Sequence, residues 1–271
     1  MPECPGTDYT RSVSPSTRAE LAAIAARAGA LALAHFRRVT PERKEDGTLV
    51  TTADREVEAA LVAELGALLP DAGILGEEGT AREGRGPYRI VLDPIDGTAA
   101  FVAGLGTWCV CIGILEGACP VAGVVHLPCL GETYSAAGGR AWLDGTPLAP
   151  LGDEAPAGDR FILTHAHAHR RHRITYPGKV RSLGSTAYHV ALVARGAAEG
   201  ALLGRAHVWD LTGPGAILAA VGGRYEYLGG GVVDLGTLSD GRRASDYVLA
   251  GTPAALASLR PLLGAPASPA T

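Results

Sequence analysis

Four β-type runs, at residues 88–92, 108–115, 121–126 and 133–137, follow one another with only short Gly- and Pro-bearing stretches between them. Strands this close in sequence pair as antiparallel neighbours, and the sheet they form needs cover on its apolar faces. Two helical segments precede the block. The first is expected from Ser16-Thr17, with Glu20 near the capping-box position, to about residue 36. The second spans about 53–69, with Val57, Leu61, Leu65 and Leu68 at helical spacing. Between them, Asp46-Gly47 marks a turn before the extended 49–51. After the block the pattern alternates. Strands are expected at 161–164, 201–203 and 247–250, and helices at 186–195, 210–221 and 253–263. This order implies a layered α/β (α+β) fold of two subdomains, 16–150 and 151–263. The Pro-bearing, acidic stretch 148–159 is the expected linker, and residues 1–15 and 264–271 are the expected tails.

Composition narrows the partners. The 271-residue chain carries a net charge of −4, with 19% charged and 5% aromatic residues. Neither a broad basic field nor a set of stacking aromatics is available, so nucleic-acid polymers and membrane surfaces are not expected partners. No apolar run reaches the roughly 18 residues of a membrane span. The N-terminal residues lack a basic stretch followed by an apolar core, so the expected compartment is the cytoplasm. The cysteines (Cys4, Cys109, Cys111, Cys119 and Cys129) show no zinc-site spacing and read as buried, inert thiols of a reducing compartment. Cys109 and Cys111 alternate with apolar residues and are expected on one strand face.

Chemistry concentrates at three acidic junctions. Asp93-Pro94-Ile95-Asp96-Gly97-Thr98 follows the run 88–92 and sets two carboxylates three residues apart ahead of a helix start. Hard cations favour such oxygen ligands, and main-chain N–H groups at Gly97 and Thr98 suit an anion. Glu77-Glu78 follows an apolar run upstream, and Trp209-Asp210 opens an apolar helical stretch downstream. Junctions of this kind are where loops assemble sites.

With Lys44, Thr51-Thr52-Ala53-Asp54, Gly76-Glu77-Glu78, Asp93–Thr98 and Trp209-Asp210-Leu211-Thr212-Gly213 in this order, the chain resembles the inositol monophosphatase family of magnesium-dependent, lithium-sensitive phosphatases. That superfamily includes histidinol-phosphate phosphatases, 3'(2'),5'-bisphosphate nucleotidases and fructose-1,6-bisphosphatases. The resemblance implies an α-β-α-β-α sandwich with the site between the halves, a homodimer, and a small phosphorylated metabolite as substrate. It implies two or three Mg2+ ions. Glu77, Asp93 and the carbonyl of Ile95 match the ligands of the first ion, and Asp93, Asp96 and Asp210 those of the second. Glu77 also matches the contact to a third. Asp54 and Thr98 match the pair that orients and deprotonates the attacking water. Glu77 and Lys44 complete the expected catalytic set, with Glu78 behind them. Gly97 and Thr98 match the phosphate cradle.

Substrate choice is less sharply written. The position where inositol-selective members carry a polyol-binding glutamate falls on Leu203. The segments Tyr134-Ser135-Ala136-Ala137 and Leu163-Thr164-His165-Ala166-His167 resemble the nucleotidase branch, whereas Ala99-Ala100 departs from it. His167, Gly184, Ser185 and Leu203 are the expected substrate contacts. The histidine run from His165 to His172 is read as a polar loop at the pocket mouth, because hard-ion sites do not call for imidazole. A 3'(2'),5'-bisphosphate nucleotidase, a sugar bisphosphatase using Arg170, Arg171, Arg173 and Arg181, and a catalytically silent binding subunit are the alternatives.

Overall fold

A proline at the first helical position opens the first helix, because the N–H it lacks would have been unpaired there. In this computed structural model, which describes residues 13–152 and 161–264, α1 (Pro15–His35) is capped by Ser14. The Ser14 hydroxyl accepts from Thr17 N at 3.1 Å. The cap therefore lies before the expected Ser16-Thr17, and Glu20 pairs with Arg27 at 3.1 Å rather than closing a capping box. Val13 is already buried, so the expected tail 1–15 ends earlier than read, and residues 1–12 lie outside the described residues.

A two-stranded hairpin, β1 (Glu42–Arg43) and β2 (Leu49–Val50), leads into α2 (Thr52–Leu68). Thr51 caps α2, and Asp54 reaches back to it in a capping box. The chain continues through β3 (Gly73–Gly76), β4 (Ala81–Arg82), β5 (Tyr88–Asp96) and the short α3 (Thr98–Val102). Then come β6 (Cys109–Glu116), β7 (Cys119–Leu127), β8 (Glu132–Ala137), β9 (Arg140–Leu143) and β10 (Thr146–Pro147). These build an eight-stranded sheet in the order β10-β9-β8-β7-β6-β5-β3-β4. The expected strand series is its centre, paired antiparallel, whereas β3 runs parallel to β5. Reading β5 as ending at Leu92 was too short: it runs on to Asp96 through a register shift after Asp93.

The second half holds β11 (Phe161–Thr164), α4 (Ala168–Arg171), β12 (Arg173–Ile174), β13 (Lys179–Arg181) and α5 (Thr186–Ala194). It continues with β14 (Ala201–Leu203), α6 (Val208–Ala220), β15 (Arg224–Tyr227), β16 (Val248–Gly251), α7 (Pro253–Leu259) and β17 (Leu263–Gly264). Its five-stranded sheet has the order β13-β11-β14-β16-β15, with β11 parallel to both β13 and β14. Gly264 pairs with Arg173, so the expected C-terminal tail begins later, and residues 265–271 lie outside the described residues. The expected linker is anchored at its start, where Leu148 N bonds Ala141 O at 2.9 Å and Leu151 N bonds Val221 O at 2.8 Å. Residues 153–160 of it lie outside the described residues.

Burial follows five layers. α1 and α2 pack on one face of the large sheet, α5 and α6 fill the space between the sheets, and α7 covers the outer face of the small one. This is an α-β-α-β-α sandwich. Covered on both faces, β6 is buried from Cys109 to Leu115, which places both of its thiols inside. The expectation of five buried thiols fails elsewhere: Cys129 is exposed on a turn, Cys119 is disulfide-bonded, and Cys4 lies outside the described residues. α6 approaches the large sheet closely. A Cβ on Gly123 would stand 2.1 Å from the Gly213 carbonyl oxygen, so only a glycine fits there. No helix among the described residues is long and apolar enough to cross a membrane.

Candidate metal centre and active site

The end of β5 and the start of α6 bring three aspartates together. Asp93 and Asp96 from the first half and Asp210 from the second each offer an oxygen, all within 4.8 Å of one another. Asp93 and Asp96 are buried, and Asp210 opens α6, where the His207 N–H bonds its Oδ2 at 2.7 Å. Asp93 Oδ1 accepts from Ile95 N at 3.0 Å, which tightens the turn. Asp96 is held from across the interface. Its carboxylate accepts the Ser185 hydroxyl, Ala187 N at 2.7 Å and Thr186 N at 3.3 Å, all at the start of α5.

Burial, reinforced by Glu77, Asp96 and Asp210, drives the Asp93 carboxyl well above its ordinary range. Burial and the neighbouring Asp96 and Glu77 do the same to Asp210. Asp96 rises to about 6, burial outweighing its hydrogen bonds from Ser185, Ala187 and Thr186. Among the described residues no lysine or arginine forms an ion pair with these three aspartates. Buried carboxylates gathered without a bonded cation are costly unless a metal compensates them, and an all-oxygen set suits a hard divalent ion. The residues fit such a group.

Lys44, on the strand-to-turn edge of the hairpin, stands 2.9 Å from Glu77 Oε1 and 2.8 Å from Glu78 Oε1. Burial works against its charge, but the two glutamates outweigh that and raise its pKa. Glu78 is pushed up to about 7, chiefly by burial and despite Lys44. Thr98 Oγ1 lies 3.3 Å from Asp54 Oδ1 and 3.2 Å from the Ile95 carbonyl oxygen. The other Asp54 oxygen accepts Thr51 N at 2.8 Å and Thr51 Oγ1 at 2.6 Å. Gly97 has φ 95°, and a Cβ there would stand 3.0 Å from the Gly184 carbonyl oxygen, so Gly97 and the Gly184-Ser185 segment share one corner.

Two expected substrate contacts sit differently. Leu203 is only 1% exposed in the middle layer. His167 is exposed ahead of α4 and makes no hydrogen bond or ion pair with the acidic cluster. The histidine run does not lie entirely at a pocket mouth. His172 is buried, and the His165 and His172 rings pack against Tyr247 at 5.2 and 4.3 Å. Three supporting residues were not singled out from sequence: Glu58, His207 and Arg243. Glu58 accepts from Glu78 N at 2.7 Å and Thr80 N at 3.0 Å. Each depends on contacts distant in sequence: Glu58 on Glu78 and Thr80, His207 on Gly241, and Arg243 on Asp46.

A sequence profile described as the inositol monophosphatase family matches residues 13–260. The chain belongs to this family. The inositol-1-monophosphatase of Mycolicibacterium smegmatis is 33% identical over 197 residues, 67% of this chain and 70% of that protein. A histidinol-phosphatase of Chlorobaculum parvum is 32% identical over 212 residues, covering 74% and 81%. In structure, the extragenic suppressor protein SuhB of Bartonella henselae is similar with a TM-score of 0.78 at 23% identity, covering 91% of this chain and 98% of that one. As a member of the family, the protein is a phosphatase that hydrolyses phosphate monoesters.

Proposed function

We propose that the protein hydrolyses a small phosphorylated metabolite with two or three Mg2+ ions and a directly attacking water. The observation that carries this reading is the gathering of Asp93, Asp96 and Asp210 from both halves within 4.8 Å. Glu77, Asp93 and the Ile95 carbonyl would hold one ion, Asp93, Asp96 and Asp210 another, and Glu77 a third. Bound magnesium would supply positive charge against the phosphate dianion and the oxygen that leaves it.

The remaining work falls to the chain. Asp54 Oδ2 is tied to Thr51, which leaves Oδ1 facing the Thr98 hydroxyl as proton acceptor. Burial raises the Asp54 pKa, so the carboxylate is a stronger base than an exposed aspartate. Water aligned by Thr98 gives its proton through this pair to Asp54, its oxygen bonds to phosphorus as the ester P–O bond breaks, and the departing alkoxide takes up a proton from solvent water. Such general-base help is worth about a hundred- to ten-thousand-fold. Gly97 and Thr98 present main-chain N–H groups to the phosphate, and Lys44 holds Glu77 and Glu78 in place. Gly184 and Ser185 border the same corner and fit the substrate side.

Leu203 is buried and offers no carboxylate to inositol hydroxyls, which supports a nucleotide or imidazole-bearing substrate over inositol phosphate, with a 3'(2'),5'-bisphosphate nucleotidase or histidinol-phosphate phosphatase as the finer readings. Homodimerisation, a cytoplasmic setting, lithium inhibition and the division into subdomains 16–150 and 151–263 belong to the same proposal. Phosphate release from histidinol phosphate, inositol 1-phosphate, 3'-phosphoadenosine 5'-phosphate and fructose bisphosphate, with magnesium or with chelator, tests it. Turnover unaffected by chelator would remove the metal, and a preference for inositol 1-phosphate would remove the substrate reading.

A further inference from the structure

The hairpin formed by β1 and β2 belongs to neither large sheet. It nevertheless carries Lys44, which reaches Glu77 and Glu78. Its turn is organised by Asp46, whose Oδ1 accepts Thr48 N at 3.0 Å and Thr48 Oγ1 at 2.6 Å. The other Asp46 oxygen accepts from Arg243 at 2.6 Å, across 197 positions of sequence. Among the described residues this is the only ion pair between the hairpin and the second half.

Arg243 holds a second partner as well. Its Nε donates to His207 Nε2 at 2.9 Å, which requires the His207 proton on Nδ1, where it faces the Gly241 carbonyl at 2.8 Å. The His207 ring stacks on Trp209 at 4.4 Å with an 8° interplanar angle, and the main-chain N–H of His207 holds Asp210. One guanidinium thus joins the turn that carries Lys44 to the helix start that carries Asp210. A lysine, with a single compact head on a flexible stem, would not reproduce this fixed two-nitrogen geometry.

We propose that Arg243 is a positioning residue for phosphate-ester hydrolysis: it clamps the Lys44 hairpin to the Asp210 end of the site through Asp46 and His207. It touches no reacting atom in this role. The clamp acts by keeping the hairpin closed, so that Lys44 stays against Glu77 and Glu78. The Asp46 and Arg243 side chains are 48% and 45% exposed, so water and salt weaken the link, and its loss leaves the fold intact.

The test uses the full-length chain with Arg243→Ala, Arg243→Lys, Asp46→Asn and the double variant Asp46→Asn/Arg243→Ala. Hydrogen exchange is followed without added metal at Lys44 N and Gly47 N, which bond Thr48 O and Lys44 O within the hairpin. Initial rates are measured on inositol 1-phosphate and histidinol phosphate. Each single replacement is expected to speed exchange at these amides about tenfold and to lower kcat about three- to tenfold with a smaller change in KM. Exchange in α1 should stay unchanged. The double variant should be no worse than the poorer single one, and Arg243→Lys should restore less than half of the loss. Exchange and kcat within twofold of wild type in both Arg243→Ala and Asp46→Asn, or multiplied effects in the double variant, would overturn the clamp. Faster exchange without loss of kcat would overturn its positioning role.

Discussion

Ser185 donates its hydroxyl to Asp96, although the two lie 89 positions apart and on opposite halves of the chain. The same oxygen accepts Tyr188 N at 3.0 Å, so Ser185 caps α5 while it fixes a carboxylate of the site. Local helix chemistry and site geometry therefore share one atom.

Ser185→Ala should affect stability and rate together. Loss of the cap costs about 1 kcal/mol, and loss of the bond to a buried carboxylate about 1–3 kcal/mol. A lower melting temperature with kcat reduced at least tenfold is expected. Thermal unfolding and steady-state kinetics on one sample check this, and an unchanged kcat would show that Ala187 and Thr186 hold Asp96 without the hydroxyl.

Asp93→Asn separates stability from activity. Burial and the charges of Glu77, Asp96 and Asp210 all disfavour the ionised Asp93, so a neutral amide relieves repulsion. In chelator the variant should melt higher than wild type, while its turnover at saturating magnesium falls at least a hundredfold. Magnesium should raise the wild-type melting temperature, by linkage worth about 2.7 kcal/mol at a hundred times the dissociation constant, and the variant's far less. A variant that melts lower in chelator would contradict the repulsion argument.

His189 supplies a pH-dependent contribution opposite in sign to that of the acidic cluster. Burial, and the nearby His165, lower its pKa from 6.5 to about 4, and its neutral Nε2 accepts Leu183 N at 2.9 Å. The unfolded chain binds the proton more readily between these values, so this contribution is complete above pH 6.5 and is lost as pH falls towards 4. At 1.36 kcal/mol per unit the full loss is about 3 kcal/mol. Asp96, raised to about 6, acts in the opposite direction over the same range. The experiment is therefore a difference: the stability gap between wild type and His189→Gln, from urea titrations, should narrow steadily from pH 7 to pH 4. A constant gap would exclude the buried neutral imidazole.

Leu203→Glu tests the substrate wall against the core. With 1% exposure, an introduced carboxylate has no water to ionise into. The variant should lose about 3 kcal/mol or more, since the carboxyl must either stay protonated as an unpartnered buried polar group or ionise without a partner, and it also disrupts the packing of the leucine it replaces. Urea unfolding checks it. Should the variant remain as stable as wild type, Leu203 must border a solvated pocket, and any gain in rate on inositol 1-phosphate would then report directly on recognition.

The sequence shows most clearly what local chemistry controls. The Leu61 and Leu65 spacing marks α2, and the alternation around Cys109 and Cys111 marks a doubly covered β6, because each depends only on residues a few positions away. Asp93, Asp96 and Asp210 were legible because each ends or begins an element next to a turn. What stayed hidden depends on distant partners. β3 is too short to announce itself and becomes a strand by pairing with β5. The histidines at 165 and 172 looked like solvated loop residues until Tyr247 brought them inside. His207 and Arg243 gain their meaning only when residues 46 and 243 meet.

The missing side chain at Gly123 has a consequence for the site's dimensions. Gly213 rests directly on that strand, three residues beyond Asp210 on the same helix. A methyl group at position 123 would act as a shim, lifting α6 and carrying Asp210 away from Asp93. The gauge between the two halves of the acidic centre is thus set by a hydrogen atom on a neighbouring strand that never touches the reactants.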